Sequence, residues 1–101
     1  MSNSTTSSYL TVGVLGGMGP DATVDFMAKV LSFTSATRDQ DHIHMLIDNN
    51  PGVPDRQVAL TGDGEDPGTV LATMAKGLES QGAQFLVMPC NTAHAWARDI
   101  R

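Results

Sequence analysis

One cysteine occurs in the 101 residues, Cys90, inside the stretch MPCNTAH. A thiol attacks a carbon or removes a proton as the thiolate, so its surroundings decide what it can do. The apolar run QFLVM leads to Pro89 and then Cys90, and Asn91 and Thr92 follow where a helix is expected to begin. Either side chain can cap that helix. A helix N-terminus favours the anion and lowers the thiol pKa from its free value of about 8.5. The plainer alternative is a buried cysteine that only fills space. His94, four residues on, is either a proton relay or a packed imidazole.

Two further stretches carry groups that can hold an anion. Arg56 follows Pro51, Pro54 and Asp55 in the loop NNPGVPDR. Its planar guanidinium can grip a carboxylate with two parallel hydrogen bonds, a geometry that lysine lacks. Asp55 orients that arginine, binds a substrate ammonium, or caps a turn. The stretch GMGPDA, Gly17 to Ala22, fits the loose form of a dinucleotide fingerprint. Asp48 lies further on than the usual spacing of about 20 residues to a ribose-binding acid. Pro20 also removes one N–H from the turn. A plain strand-to-helix turn, or a nest of N–H groups for a small carboxylate, fits better. His42 and His44 lie two apart on an expected strand, near Asp39, Asp41 and Asp48. No third ligand falls at a recognisable spacing, so the pair reads as a solvated strand entrance and no metal is expected.

These residues need elements to carry them. The run YLTVGVLGG reads as a buried first strand, and Pro20 opens a helix from 21 to about 35. Val24, Met27, Ala28 and Leu31 are expected to line its inner face, broadened by Phe26, Val30 and Phe33. With so few polar breaks, the helix is expected to be covered around much of its circumference. A second strand is expected over 43–48, and QVAL reads as one helical turn. Asp66 and Pro67 resemble a cap and first residue of a helix running to about Ser80. Its inward set is Val70, Leu71, Met74, Ala75 and Leu78, and Gly82 stops it. A third strand over 84–88 and a helix from Asn91 complete the chain. Strands alternating with helices imply an α/β fold, a three-layer sandwich around a parallel sheet. Ligands in such folds bind beyond the carboxyl ends of the strands. GGMGP, DNNPGVPDR and PCNTAH all fall at that edge.

The length suits one domain with a modest core. Hydrophobic residues at 41% and charged residues at 17% describe a soluble globular chain. No apolar run is long enough to span a bilayer. The polar start MSNSTTSSY reads as a disordered tail over 1–9, with neither part of a signal peptide. A lone cysteine and the missing signal imply a reducing cytoplasm. A net charge of −5 with six scattered cations speaks against nucleic acid.

Taken in order, VGVLGGMGPDAT, RDQDH, NNPGVPDR, GEDP and MPCNTAH resemble the N-terminal half of an aspartate racemase, from the cofactor-independent Asp/Glu racemase superfamily. The resemblance runs from about residue 10 to 101. PCNTAH alone marks the superfamily loosely; with GGMGP and the proline-rich loop it is specific. Glutamate racemases are less similar, because they carry an Asp-Ser pair in the first glycine-rich loop.

The resemblance implies two similar α/β domains and inversion of an amino acid by two cysteines, one per domain, on opposite faces of Cα. Cys90 is then the first cysteine. Asn91 and Thr92 hold the substrate carboxylate, the turn around Met18 lines the pocket with Asn50, and Arg56 grips the side-chain carboxylate. Asp55 and His94 support them. It further implies an acidic amino acid as the small-molecule partner, a homodimer in the full-length form, and no PLP, metal or nucleotide. Residues 10–101 would form the first domain with its last helix cut short, so a fragment or truncated product is expected. The alternatives are a glutamate or related-acid racemase, a nucleotide-binding module built on GGMGP, and an inactive carboxylate-binding domain.

Overall fold

Val12–Gly16 forms the central strand, β1, and every one of its residues is buried. A strand covered on both faces reads as a continuous apolar run, which is what VGVLG is. The computed structural model describes residues 9–62 and 64–89. Cys90, Asn91, Thr92 and His94, the helix expected after them, and residues 1–8 lie outside the described residues.

The chain continues through helix α1, Pro20–Phe33, a short 3-10 turn at Asp39–Asp41, and strand β2, Met45–Asn49. Helix α2, Arg56–Leu60, and helix α3, Gly68–Ser80, precede strand β3, Phe85–Val87. The sheet has the order β2-β1-β3 and is parallel throughout. Val12 lies beside Met45 on one side and Phe85 on the other. The crossover from β1 to β2 runs one way along the sheet, and the crossover from β2 to β3 returns past β1. Right-handed connections therefore place α1 and α3 on opposite faces, which makes the expected α/β layering. A Cβ at Gly13 would meet Leu78, Ala83 and Leu86, so even-side and odd-side residues of β1 separate cleanly: Gly13 and Leu15 face α3, while Val12 and Val14 face α1.

The local signals place α3 well. Asp66 Oδ1 accepts a hydrogen bond from the Gly68 N–H at 2.9 Å, and Pro67 is buried behind it. Gly82, at φ +110°, closes the helix, with the Ala83 N–H donating to the Leu78 carbonyl at 3.0 Å. Leu71, Met74, Ala75 and Leu78 are buried, and Val70 packs beside them half-buried.

Two expectations are corrected. Strand β2 begins at Met45 rather than 43, because the 3-10 turn still holds His42, whose N–H donates to the Asp39 carbonyl at 3.1 Å. His42 and His44 are therefore not strand neighbours, and among the described residues no group of three His, Cys, Asp or Glu side chains could hold a metal. Helix α1 is also not covered around its circumference. Its only buried residue is Thr23, with Phe26, Met27 and Val30 half-buried on the same side. Val24, Ala28 and Leu31, expected inside, form an exposed stripe, and Phe33 is 86% exposed. Asp21, Asp25, Lys29 and Ser32 mark a polar stripe on the exposed side, and Val24, Ala28 and Leu31 lie directly beside it; their apolar character made the solvent face look narrower than it is. No helix among the described residues is long and apolar enough to cross a membrane.

Candidate functional site

The carboxyl edge of the sheet is tied together by backbone contacts between the first two loops. The Asn50 N–H donates to the Gly16 carbonyl at 3.0 Å, extending the β1–β2 ladder one step beyond the strands. Gly17 then turns with φ +102° and lies directly against the Asn50 backbone, leaving no space for a Cβ. Both features demand glycine, since an L side chain there meets a backbone clash and a left-handed conformation together. The Met18–Gly19 peptide is cis. Among the described residues, no acceptor meets the N–H of Met18 or Gly19.

Hydrophobic contacts join all three loops below this surface. Met18, after β1, Val53, after β2, and Met88, after β3, are buried in one cluster with Leu15, Leu71 and Met74. Each loop thus sends one apolar side chain into the core, which fixes the polar residues around it. Met18 is a buried floor of this edge. Pro89, the last described residue, follows Met88 directly at the same edge.

Asn50 holds its loop with both ends of its side chain. Its Oδ1 accepts from the Gly52 N–H at 2.9 Å, and its Nδ2 donates to the Met74 sulfur at 3.7 Å. The first bond is an Asx turn, the second a weak contact. Asp55 caps α2: its Oδ1 accepts from the Val58 N–H and its carbonyl from the Ala59 N–H, each at 3.0 Å. Capping is one of the three roles open to Asp55, and these two bonds display it. Arg56 is the first residue of α2, at the edge where the sequence places it. Cys90, Asn91, Thr92 and His94 fall outside the described residues.

A groove of about 480 Å³ lies nearby, between the outer flank of β2 and α3. Asp48, Asn50, Thr73, Met74, Gly77 and Gln81 border it, while Gly17 and Met18 do not. It shares Asn50 and Met74 with the loop edge, but of the residues that join the three loops Met18, Val53 and Met88 take no part in it. The convergence of the loops is therefore the better guide to the site than the size of this groove.

Sequence reasoning missed Thr23. It is the buried polar side chain of the described residues, 1% exposed, and its Oγ1 accepts a hydrogen bond from the Gly17 N–H at 3.0 Å. The contact joins two adjacent glycines to a threonine six and seven positions on, in the first turn of α1, and no local preference of threonine announces it. It also missed Val53, whose apolar side chain in a polar loop marks an anchor.

Comparison with known proteins agrees with this architecture. Residues 15–101 match the Asp/Glu/Hydantoin racemase family. The broad specificity amino-acid racemase RacX of Bacillus subtilis (strain 168) is 33% identical over 96 residues, 89% of this chain and 40% of that protein. The Picrophilus torridus aspartate racemase superposes with a TM-score of 0.86 at 42% identity, over 92% of this chain and 40% of that one. An aspartate racemase homologue from Pyrococcus horikoshii OT3 superposes with a TM-score of 0.72 at 20% identity, over 91% and 40%. That last likeness is one of fold alone. The chain spans 40% of the length of each of these relatives.

Proposed function

The chain belongs to the Asp/Glu/Hydantoin racemase family, and from that premise we propose that it supplies the first-cysteine half of a cofactor-independent, cytoplasmic aspartate racemase. In this reading residues 10–101 are the first of two similar domains, and the full-length form is a homodimer. The observation that supports it best is the joint burial of Met18, Val53 and Met88, which draws the three loops to one edge. The aspartate racemase of Picrophilus torridus, at 42% identity, favours aspartate over glutamate.

The chemistry runs as follows. The α-proton of an amino acid is weakly acidic, and its removal moves an electron pair towards the carboxylate. The Cys90 thiolate takes that proton: the Cα–H bond breaks and an S–H bond forms. Donors aimed at the carboxylate oxygens stabilise the growing charge. Asn91 and Thr92 serve in that role, with the turn around Met18 and Asn50 closing the pocket beside them. Arg56 receives the side-chain carboxylate, and Asp55, by capping α2, fixes where Arg56 starts. His94 supports the thiol. Inversion then needs a second acid on the opposite face of Cα, and a single thiol in a fixed pose cannot occupy both faces.

Incubating the purified chain with L-aspartate in D₂O tests this. The expected outcome is that aspartate protects Cys90 from alkylation and that any Cα deuterium stays in the L-isomer, with no D-aspartate formed. Cys90→Ala should abolish that exchange. Exchange that survives Cys90→Ala would remove the thiol from the chemistry. Robust racemisation that vanishes in Cys90→Ala would overturn the half-site reading and favour two copies sharing one cleft.

A further inference from the structure

We propose that Thr23 is a positioning residue of this site: it clamps the Gly16–Gly17 peptide and so sets the direction of the N–H groups that follow. The proposal rests on the racemase reading for its ligand. One peptide group lies between Gly16 and Gly17, and both of its polar ends are engaged. The Gly16 carbonyl accepts from the Asn50 N–H at 3.0 Å, and the Gly17 N–H donates to Thr23 Oγ1 at 3.0 Å. The first bond comes from the end of β2, the second from the first turn of α1. Together they prevent this peptide plane from rotating, which either bond alone would permit.

Packing enforces the same arrangement. The Thr23 side chain fills the space in front of Gly16: a Cβ there would collide with Oγ1 and lie 2.7 Å from Cγ2. Gly17 is pressed against the Asn50 backbone from the other side. The Met18 and Gly19 N–H groups follow the clamped plane across the Gly17 dihedrals, and Gly17 is itself wedged against the Asn50 backbone at φ +102°, which limits how they can turn relative to that plane. They are the donors that a carboxylate at this edge would meet. Without the hydroxyl, the Gly17 N–H would be buried and unpaired, a costly state that turning the peptide would relieve. Turning it would also re-aim the donors. A threonine chosen only for packing would be replaced by valine at little cost, since the two have nearly the same shape. The hydroxyl is what the clamp uses.

The experiment compares Thr23→Val and Thr23→Ser in the full 101-residue chain, reading the alkylation rate of Cys90 with and without L-aspartate. Thr23→Val should raise the aspartate concentration that half-protects Cys90 by about tenfold, the factor that 1.4 kcal/mol corresponds to. Its alkylation rate without aspartate should be unchanged. Thr23→Ser keeps the acceptor and should bind aspartate within about threefold of the parent, although it loses the methyl group. Amide exchange at Gly17 should quicken in Thr23→Val and not in Thr23→Ser. Equal protection of the parent and Thr23→Val would overturn the clamp. A serine variant as impaired as the valine variant would also overturn it, because the loss would then be one of packing. If aspartate fails to protect even the parent chain, the racemase reading itself falls, and the ligand assigned here falls with it.

Discussion

The two long helices have similar lengths and opposite surroundings. Helix α3 buries Leu71, Met74, Ala75 and Leu78 against β1 and the loops beyond it. Helix α1 buries only Thr23, which is polar, and leaves Val24 61% exposed. The difference separates two tasks. Helix α3 is the hydrophobic foundation on which Met18, Val53 and Met88 sit. Helix α1 covers the other face with the half-buried Phe26, Met27 and Val30, and its first turn holds the glycine loop through Thr23. Stability and site geometry therefore rest on different elements of the same sheet.

Truncating one leucine on each helix is the strongest test of that contrast. Leu71 is 0% exposed, so Leu71→Ala should cost about 2–5 kcal/mol through lost burial and a residual cavity. Leu31 is 49% exposed on the outer stripe of α1, and Leu31→Ala should stay within about 0.5 kcal/mol. Urea midpoints at low protein concentration measure both. Equal losses would break the comparison, because Leu31 would then have to be covered in solution. Sedimentation would reveal whether a second copy covers it, as contiguous exposed apolar surface tends to invite association.

Much of this was legible in the residues. Asp66, Pro67 and Gly82 mark both ends of α3, because capping and a positive φ have strong residue preferences. The order of strands and helices sufficed for the parallel sheet and for bringing the loops after its strands to one edge. The inner face of α1 was misread: Asp21, Asp25, Lys29 and Ser32 give the solvent side, but the apolar Val24, Ala28 and Leu31 beside them were counted with the core. The start of β2 was missed because Ile43 has strand character, while the turn at Asp39–Asp41 delays the ladder. Thr23 was invisible for a different reason. Its role depends on space left by Gly16, and no local preference of threonine reports a contact seven positions back. The resemblance implies a binding role for Asn50, and the sequence did not show that its side chain also shapes its own loop.

Glycines sharpen the contrast at smaller scale. Gly16 and Gly17 are required by close approach, whereas Gly77 sits within α3 with no atom within 4 Å of where a Cβ would stand. It borders the lateral groove, where space is open. Gly77→Ala should therefore stabilise the chain by about 0.5–1 kcal/mol, by restricting the unfolded chain and favouring the helix. Thermal unfolding measures it. A loss of stability would mean that something approaches α3 closely at that position, and the groove would have to be reconsidered as an occupied surface.

The smallest effect belongs to the connection that leaves α1. Arg38 Nη2 donates to Asp41 Oδ1 at 2.7 Å, and Nε donates to Oδ2 at 3.2 Å, so the guanidinium grips the carboxylate with two bonds. The hydrogen bond from Arg38 is the main cause that holds the Asp41 pKa below its ordinary value, and the same bond raises that of Arg38. The sign follows directly. Folded Asp41 binds a proton less readily than unfolded Asp41, so its contribution is fully present above the unfolded value of about 3.9. That contribution is lost as pH falls through the lower, folded value. Arg38 is 62% exposed and Asp41 34%, so salt reaches the pair and such pairs contribute little. Carbon-detected NMR titration of the Asp41 carboxyl should place its midpoint higher in Arg38→Gln than in the parent. The urea midpoint at neutral pH should barely move. An unchanged Asp41 midpoint would mean that the pair is not populated in solution. A large stability loss instead would make this turn part of the foundation that α3 otherwise supplies.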